Sequence, residues 1–369
     1  MRILLVAGEA SGDAHAGPVV ARLRAAGAEV VAVGGPAVRA AGAEIVCGID
    51  ELAVLGFVEV ARRLPRLVSL ARQLEQRLRE RPFDLFLGVD YPGFNLRFEA
   101  RVRRLGIPVL HYIGPQVWAW RARRLETLRR VTTHVALVLP FEKPLYDRAG
   151  IAATWVGHPL LDDPAPEVEP DRDVGIFPGS RPQELAHHLP VLLETAARLR
   201  SGRPGLSVLV SRAPTVEPAL FAARLAAHGF DADADATDAP ARSAMRRCRA
   251  MLVASGTATL EAALAERPFA VLYRTARLNW EVARRLVHLP YVALANLVAG
   301  ERVVREYLQA EATPAALASE VERLLDDEPE RQRMLAKLRE VRARLGPPGA
   351  ADRVTRLALD MAVHRLATP

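Results

Sequence analysis

The chain is poor in cysteine, in aromatic residues and in long apolar runs, and each shortage excludes a class of function. Two of its 369 residues are cysteines, Cys47 and Cys248, far apart and in no C-x-x-C pattern. No disulfide framework, zinc cluster or redox dithiol is expected from them, and both read as small buried side chains. No run of about 18 uncharged apolar residues occurs, so no transmembrane helix is expected. The first residues lead straight into a strand pattern without the basic and apolar regions of a signal peptide, which points to the cytoplasm. Aromatics make up 5% of the chain and are not interleaved with its basic residues. With no helix-turn-helix, zinc-finger, RRM or KH signature, nucleic acid is not an expected partner. G-x-G-x-x-G and the Gly-Lys-Ser/Thr of a P-loop are also missing, which argues against an NAD dehydrogenase and a P-loop NTPase.

What remains is an ordinary soluble composition, half hydrophobic and a quarter charged, in a chain too long for one core. The net charge of +7 comes from basic residues that are nearly all Arg. Two explanations fit: a GC-rich genome, or an acidic partner such as an anionic membrane surface. In the first half, short β-branched apolar runs near 2–7, 29–34, 44–46, 84–89, 107–112 and 134–138 alternate with helical patterns. That alternation predicts an α/β fold with a parallel sheet covered on both faces. The Pro- and acid-rich stretch 162–173, DDPAPEVEPDRD, reads as a linker, after which strand, glycine turn and helix start again. The expected division is a first Rossmann-like domain over 1–165, a second over 166–345, and a C-terminal helical segment, 346–369, packing back across the domains. Ligands of such sheets bind outside the carboxyl ends of the strands, so two facing sheets would place a cleft between them.

The chemistry-bearing motifs follow strand ends. GEASGD (8–13) closes the first strand and carries two carboxylates, Glu9 and Asp13, where phosphate-binding turns carry none; a helix is expected from about His15. In FPGSRPQE, Gly179 and Ser180 expose amides at a helix start and Arg181 can pair with a phosphate. In ASGTATLEA, Ser255, Gly256 and Thr257 open a helix, and Glu261 one turn on can accept from ribose hydroxyls. Helix capping explains each turn alone; together they favour a nucleotide or nucleotide-sugar. Asp90, ending the strand of LGVDYPGFNLR, fits a general base and equally the cap of a Pro92-Gly93 turn. Asn95 and Arg97 are its neighbours. Trp118 and Trp120 fit a sugar or acyl site, or core. FDADADATD (230–238) fails as an EF-hand and reads as an exposed acidic loop. His187-His188 lack a matching ligand set, and His158 reads as structural. The stretch 52–74 sets Val54, Phe57, Val58, Val60, Leu64, Leu67 and Val68 among Arg62, Arg63 and Arg66. Its pattern alone favours a core helix with a solvated Arg face over a lipid-facing surface.

Taken together, GEASGD, GVDYPGFN, GPQVWAW, FEK, GHP, PGSR, SGTATLEA, YR and NLVAG, in this order over about residues 2–310, resemble the lipid-A-disaccharide synthases. The resemblance implies a GT-B-like glycosyltransferase with two Rossmann-like domains, the acceptor in the first and a UDP-sugar in the second, without metal or other cofactor. The implied reaction joins UDP-2,3-diacylglucosamine to the 6-hydroxyl of 2,3-diacylglucosamine 1-phosphate, giving the β-1,6 disaccharide and UDP. It implies Asp90 as the catalytic residue. Glu9, Ser11, Gly12, Asp13 and Asn95 fall on the acceptor side. Gly179, Ser180, Arg181, Ser255, Gly256, Thr257, Thr259, Glu261, Asn296 and Gln309 fall on the UDP side. It turns 52–74 into a membrane-facing segment of an enzyme resting on the inner face of the inner membrane of a Gram-negative cell. Gly93 replaces the second Asp of the family's D-x-P-D-F-N, and Ala295 replaces the Pro before Asn296. The alternative is another UDP-sugar transferase, or a UDP-N-acetylglucosamine epimerase, of the same architecture acting on a soluble sugar. A non-catalytic two-lobed sugar-binding protein is disfavoured by the missing signal peptide.

Overall fold

The apolar runs of the first half pair as parallel strands in a seven-stranded sheet. These are β1 (Arg2–Ala7), β2 (Glu29–Gly34), β3 (Glu44–Gly48), β4 (Leu85–Val89), β5 (Val109–Tyr112), β6 (His134–Leu137) and β7 (Ala153–Trp155), in the order β3-β2-β1-β4-β5-β6-β7. A second, six-stranded parallel sheet contains β8 (Arg172–Phe177), β9 (Val208–Ser211), β10 (Ala236–Thr237), β11 (Cys248–Ala254), β12 (Phe269–Tyr273) and β13 (Glu306–Leu308), ordered β10-β9-β8-β11-β12-β13. The computed structural model describes residues 1–52, 57–118, 123–164, 166–214, 216–286 and 289–367. The chain divides into two units, Met1–Asp163 with Leu345–Pro369, and Pro164–Arg344.

β1 and β4 are apolar along their length because helices cover both faces; Ile3, Leu4, Leu5, Val6, Leu85, Phe86 and Leu87 have no exposure. In each unit the chain winds outward from a central strand, then returns to that strand's other side. The reversal lies between β1 and β4 in the first sheet and between β8 and β11 in the second. Such a switch point leaves a crevice at the carboxyl ends of the two strands, because their following helices go to opposite faces. Register aligns those ends: Ala7 lies beside Val89, and Phe177 beside Val253.

The last residues belong to the first unit. The helix Ala350–Ala367 is capped by Asp162, whose carboxylate accepts from the amides of Gly349 (2.7 Å), Ala350 (3.0 Å) and Ala351 (2.8 Å). Arg22, on the helix Ala10–Ala25, donates to Asp352 at 2.5 Å, and Arg353 donates to Val156 O at 2.7 Å. The 230–238 stretch is not the expected exposed loop. Asp231 caps the helical turn Ala232–Asp235, and Asp235 is buried against Arg200 (2.5 Å) ahead of the edge strand β10. No described helix is long and apolar enough to cross a membrane.

Candidate active site

Both switch points carry the motifs. In the first unit the helix after β1 begins at Ala10, not near His15. Most of GEASGD is therefore the first turn of a helix. Glu9, at its N-cap, and Ser11 are exposed, and Gly12 lies close beneath Val89 O. Asp13 turns inward instead. It is 4% exposed and accepts from the amides of Gly35 (2.6 Å), Ala37 (2.9 Å) and Val38 (3.2 Å). Its carboxylate is saturated by capping the short helix Pro36–Ala40 after β2, which leaves Glu9 and Ser11 as the exposed polar side chains of the turn.

Facing this turn across β1 and β4 is a corner in which two consecutive non-glycine residues take left-handed backbone conformations, Asp90 (φ 47°) and Tyr91 (φ 49°). Each such residue costs about 1–3 kcal/mol, and the cost persists only where the surroundings over-determine it. Here they do. The Asp90 amide donates to Tyr112 O at 2.8 Å. Pro92 begins the helix Pro92–Arg104, so Pro92 and Gly93 form a helical first turn and not a β-turn. Asn95, wholly buried, donates its Nδ2 to Asp90 O (2.7 Å), Val6 O (3.3 Å) and Val89 O (3.4 Å). Asn95 is thus a brace beneath Asp90, not a group presented to an acceptor. The Tyr91 ring lies on Gly8, where a Cβ would come within 2.3 Å of it. Burial, with the Glu9 charge, raises the Tyr91 phenol above its usual range. Arg97 is turned away, donating to Gly93 O. A Cβ on Gly93 would meet nothing within 4 Å, so the position tolerates either Gly or a side chain.

In the second unit, Gly179 follows β8 with φ 100°, a backbone conformation that favours glycine, and it packs against the Glu184 side chain. Arg181 occupies the N-cap position of the helix Pro182–Gly202, its amide donates to Glu184, and its guanidinium, 74% exposed, meets Glu184 at 3.1 Å. After β11, Ser255 donates to Val292 O (2.9 Å), while Gly256 and Thr257 lie exposed ahead of the helix Ala258–Ala265. Both helix starts aim positive dipole ends at the switch point, with the Arg181 amide taken up by Glu184 and the Thr259 and Leu260 amides by Gly256 O and Thr257 O. Thr259 is buried, donating to Gly256 O and accepting from Leu294 N. It shapes the loop. Burial pushes the Glu261 carboxyl up, against the opposing pull of Arg242.

Asn296 departs from expectation. It is wholly buried, donating Nδ2 to Val304 O and Glu306 Oε1 and accepting at Oδ1 from Val303 N and Val304 N. With both donor hydrogens and both lone pairs used, it holds the 292–306 loop instead of reaching a ligand. Gln309, at φ 50°, pairs its amide with the Thr275 backbone, donating to O (3.1 Å) and accepting from N (3.2 Å). Sequence reasoning missed two braces. Glu306 accepts from Val292 N and Ala293 N, and His188 ties the loop after β8 to the end of β12. His188 Nδ1 lies 3.0 Å from Pro178 O, and Nε2 accepts from Arg274 N at 3.0 Å. The neutral ring suits both bonds, and burial lowers its pKa. Only its place ten residues after Pro178, one helical face down, could have hinted at this.

Trp118 donates Nε1 to Glu142 at 3.2 Å and packs edge-on against Phe141, which makes it a loop anchor; Trp120 lies outside the described residues. Val54 also lies outside them. Phe57, Val58, Val60, Arg62, Arg63 and Leu64 fall on the helix Phe57–Glu80, but their side chains lie outside the described residues. Of the rest, Arg66 is exposed, Val68 half-buried, and Leu67 packs on the core of the first unit.

The comparisons with known proteins agree with this geometry. The family model described as lipid-A-disaccharide synthetase matches residues 3–347. A lipid-A-disaccharide synthase of Anaeromyxobacter dehalogenans is 41% identical over 366 residues, spanning 96% of this chain and 95% of the relative. One of Myxococcus xanthus is 38% identical over 374 residues, spanning 98% and 97%. Among solved structures, the kitacinnamycin glycosyltransferase superposes with a TM-score of 0.65 at 18% identity, covering 96% of this chain and 98% of its own. A UDP-GlcNAc 2-epimerase of Neisseria meningitidis, bound to UDP-GlcNAc, gives 0.66 at 13%, covering 98% and 100%. These two speak to the fold, which is that of GT-B glycosyltransferases. With its paired parallel sheets and its motifs at both switch points, the chain belongs to the lipid-A-disaccharide synthetase family of glycosyltransferases.

Proposed function

We propose that the protein transfers the 2,3-diacylglucosamine of a UDP-sugar to the 6-hydroxyl of 2,3-diacylglucosamine 1-phosphate, with the acceptor on the first unit and the donor on the second. Asp90 takes the hydroxyl proton, the oxygen forms a bond to the anomeric carbon on the face opposite UDP, and the carbon–phosphate oxygen bond breaks. The configuration inverts, the proton ends on Asp90, and UDP departs. The developing diphosphate charge meets the helix N-termini at Ser180 and at Gly256–Thr257, with Arg181 exchanging Glu184 for phosphate. Those groups supply the positive charge for which other transferases use a cation. Glu9 and Ser11 bind sugar hydroxyls. Both substrates carry acyl chains, so the part of the 52–74 stretch ahead of Leu67 rests on the anionic inner face of the inner membrane and admits them, while Leu67, Leu70, Ala71 and Leu74 belong to the core of the first unit.

The observation that supports this reading most is the strained Asp90–Tyr91 corner, placed at a switch point in a chain of this family. The assay is mass spectrometry of the purified protein with both lipid substrates in mild detergent and EDTA. Tetra-acyl disaccharide phosphate and UDP are expected, and Asp90→Asn is expected to abolish turnover while UDP still binds. A near-normal rate in the Asn variant overturns the base assignment. The fold is shared with UDP-GlcNAc epimerases, so UDP binding without disaccharide product would transfer the proposal to a soluble sugar.

A further inference from the structure

Behind the Asp90 corner lies a pair of titratable groups that the mechanism above does not use. Glu99, on the helix Pro92–Arg104, and His111, on β5, both have no exposure at all. His111 Nδ1 and Glu99 Oε1 are 2.6 Å apart. The other atoms of the pair, His111 Nε2 and Glu99 Oε2, are buried with no hydrogen-bond partner. A core position gains little from such a pair, because desolvating two charged groups offsets their attraction, and unsatisfied polar atoms add a further penalty.

The backbone is shaped to admit it. β4 has glycine at Gly88, where a Cβ would lie 2.5 Å from Glu99 Oε1, and Gly88 is the register partner of His111. Two residues after Gly88 comes Asp90. One residue after His111 comes Tyr112, whose carbonyl accepts the Asp90 amide. The pair and the strained corner therefore share two adjacent strands and one helix. The charges that act on His111 are Glu99, from the helix, and Asp90, from the corner; both favour its protonated form against the effect of burial, as does the Ile113 backbone.

We propose that the Glu99–His111 pair is a positioning device for Asp90: a buried imidazolium, held by its 2.6 Å bond to Glu99 between β5 and the helix Pro92–Arg104, that favours the Asp90 carboxylate and keeps its corner in place. His111 touches no reacting atom in this scheme. Glu99 keeps the ring protonated, and the ring in turn favours the base form of Asp90. The inference deepens the base role proposed above and rests on it. It goes further in assigning two residues that no substrate reaches.

The test uses the full-length protein labelled with 15N at histidine. One ring is expected to carry protons on both nitrogens at pH 7.5, and His111→Gln identifies it by loss of its signals. Coupling is reciprocal, so Asp90→Asn is expected to lower the titration midpoint of that ring by about one pH unit. In the transfer assay, Glu99→Gln, close to isosteric, is expected to lower kcat at least tenfold with KM within twofold. It is also expected to move the acidic limb of kcat/KM to higher pH. A His111 ring that is neutral at pH 7.5, or one whose titration ignores Asp90→Asn, overturns the proposal. So does a folded Glu99→Gln variant with an unmoved pH profile. The magnetic-resonance readout needs no turnover, so it stands even if the acceptor is not the proposed lipid sugar. A variant that fails to fold leaves the measurement on the native side chains intact.

Discussion

Removing the Asn95 amide tests whether the Asp90 corner is held from below. In Asn95→Ala the Asp90 carbonyl loses its 2.7 Å donor, and Val6 O and Val89 O lose longer contacts at 3.3 and 3.4 Å. One buried carbonyl left without a donor costs about 1–3 kcal/mol. Part of this returns if Asp90 and Tyr91 relax out of the left-handed region, which releases about 1–3 kcal/mol per residue. The net loss is therefore at most about 3 kcal/mol, or up to roughly 12 °C in the melting temperature of a unit this size. From a stability of about 5–15 kcal/mol, that leaves the protein almost entirely folded at 25 °C. Activity responds differently. A displacement of about 1 Å at a reacting group costs on the order of 100-fold in rate. Calorimetry and the mass-spectrometric assay, run side by side, separate the two effects. The expected result is a folded variant with UDP affinity unchanged and kcat down by about 100-fold. A kcat within about threefold of wild type refutes the bracing argument. A change confined to the acceptor KM would instead put Asn95 in contact with substrate.

Three further outcomes follow from particular contacts. Gly8→Ala places a Cβ where the Tyr91 ring now lies and is expected to cut kcat by about tenfold or more. The double variant with Tyr91→Ala is expected to recover part of this; no recovery removes the steric explanation. His188→Phe keeps the ring but loses the bonds to Pro178 and Arg274. UDP affinity measured by calorimetry is expected to fall about tenfold, the equivalent of one net hydrogen bond, and an unchanged affinity in a folded variant would show that the tether is dispensable. Glu142 has its carboxyl pushed up to about 7 by burial, against bonds from Leu139 and Trp118 that pull it down. Between its unfolded value near 4.5 and about 7, the folded state holds more protons than the unfolded one, so stability falls as pH rises through that window. Melting temperatures measured from pH 4.5 to 8 are expected to show that decline in the wild type and a flatter line in Glu142→Gln. Parallel curves would refute the assignment.

Local pattern alone determined much of this protein. Short β-branched runs with no polar alternation, bounded by turn residues, favour strands buried on both faces, and their spacing by helical segments favours parallel pairing. The runs at 2–7, 29–34 and 84–89 therefore coincide with β1, β2 and β4 to within a residue. The glycine turns at strand ends were legible for the same reason, because positions such as Gly179 need a backbone that few other residues adopt. The edge strands β7, β10 and β13 were not, since two or three residues carry too little periodicity to register. Strand order was also beyond the sequence. That β1 lies beside β4, and β8 beside β11, is a matter of long-range pairing, and it is this that places GEASGD against Asp90 and PGSR against SGT. Tertiary structure likewise divided the polar residues. Asp13, Asn95, Thr259 and Asn296 look in sequence like ligand-binding groups of the same kind as Glu9, Ser11 and Arg181. Only the fold turns the first group inward, where buried backbone amides and carbonyls must find partners, and leaves the second facing solvent.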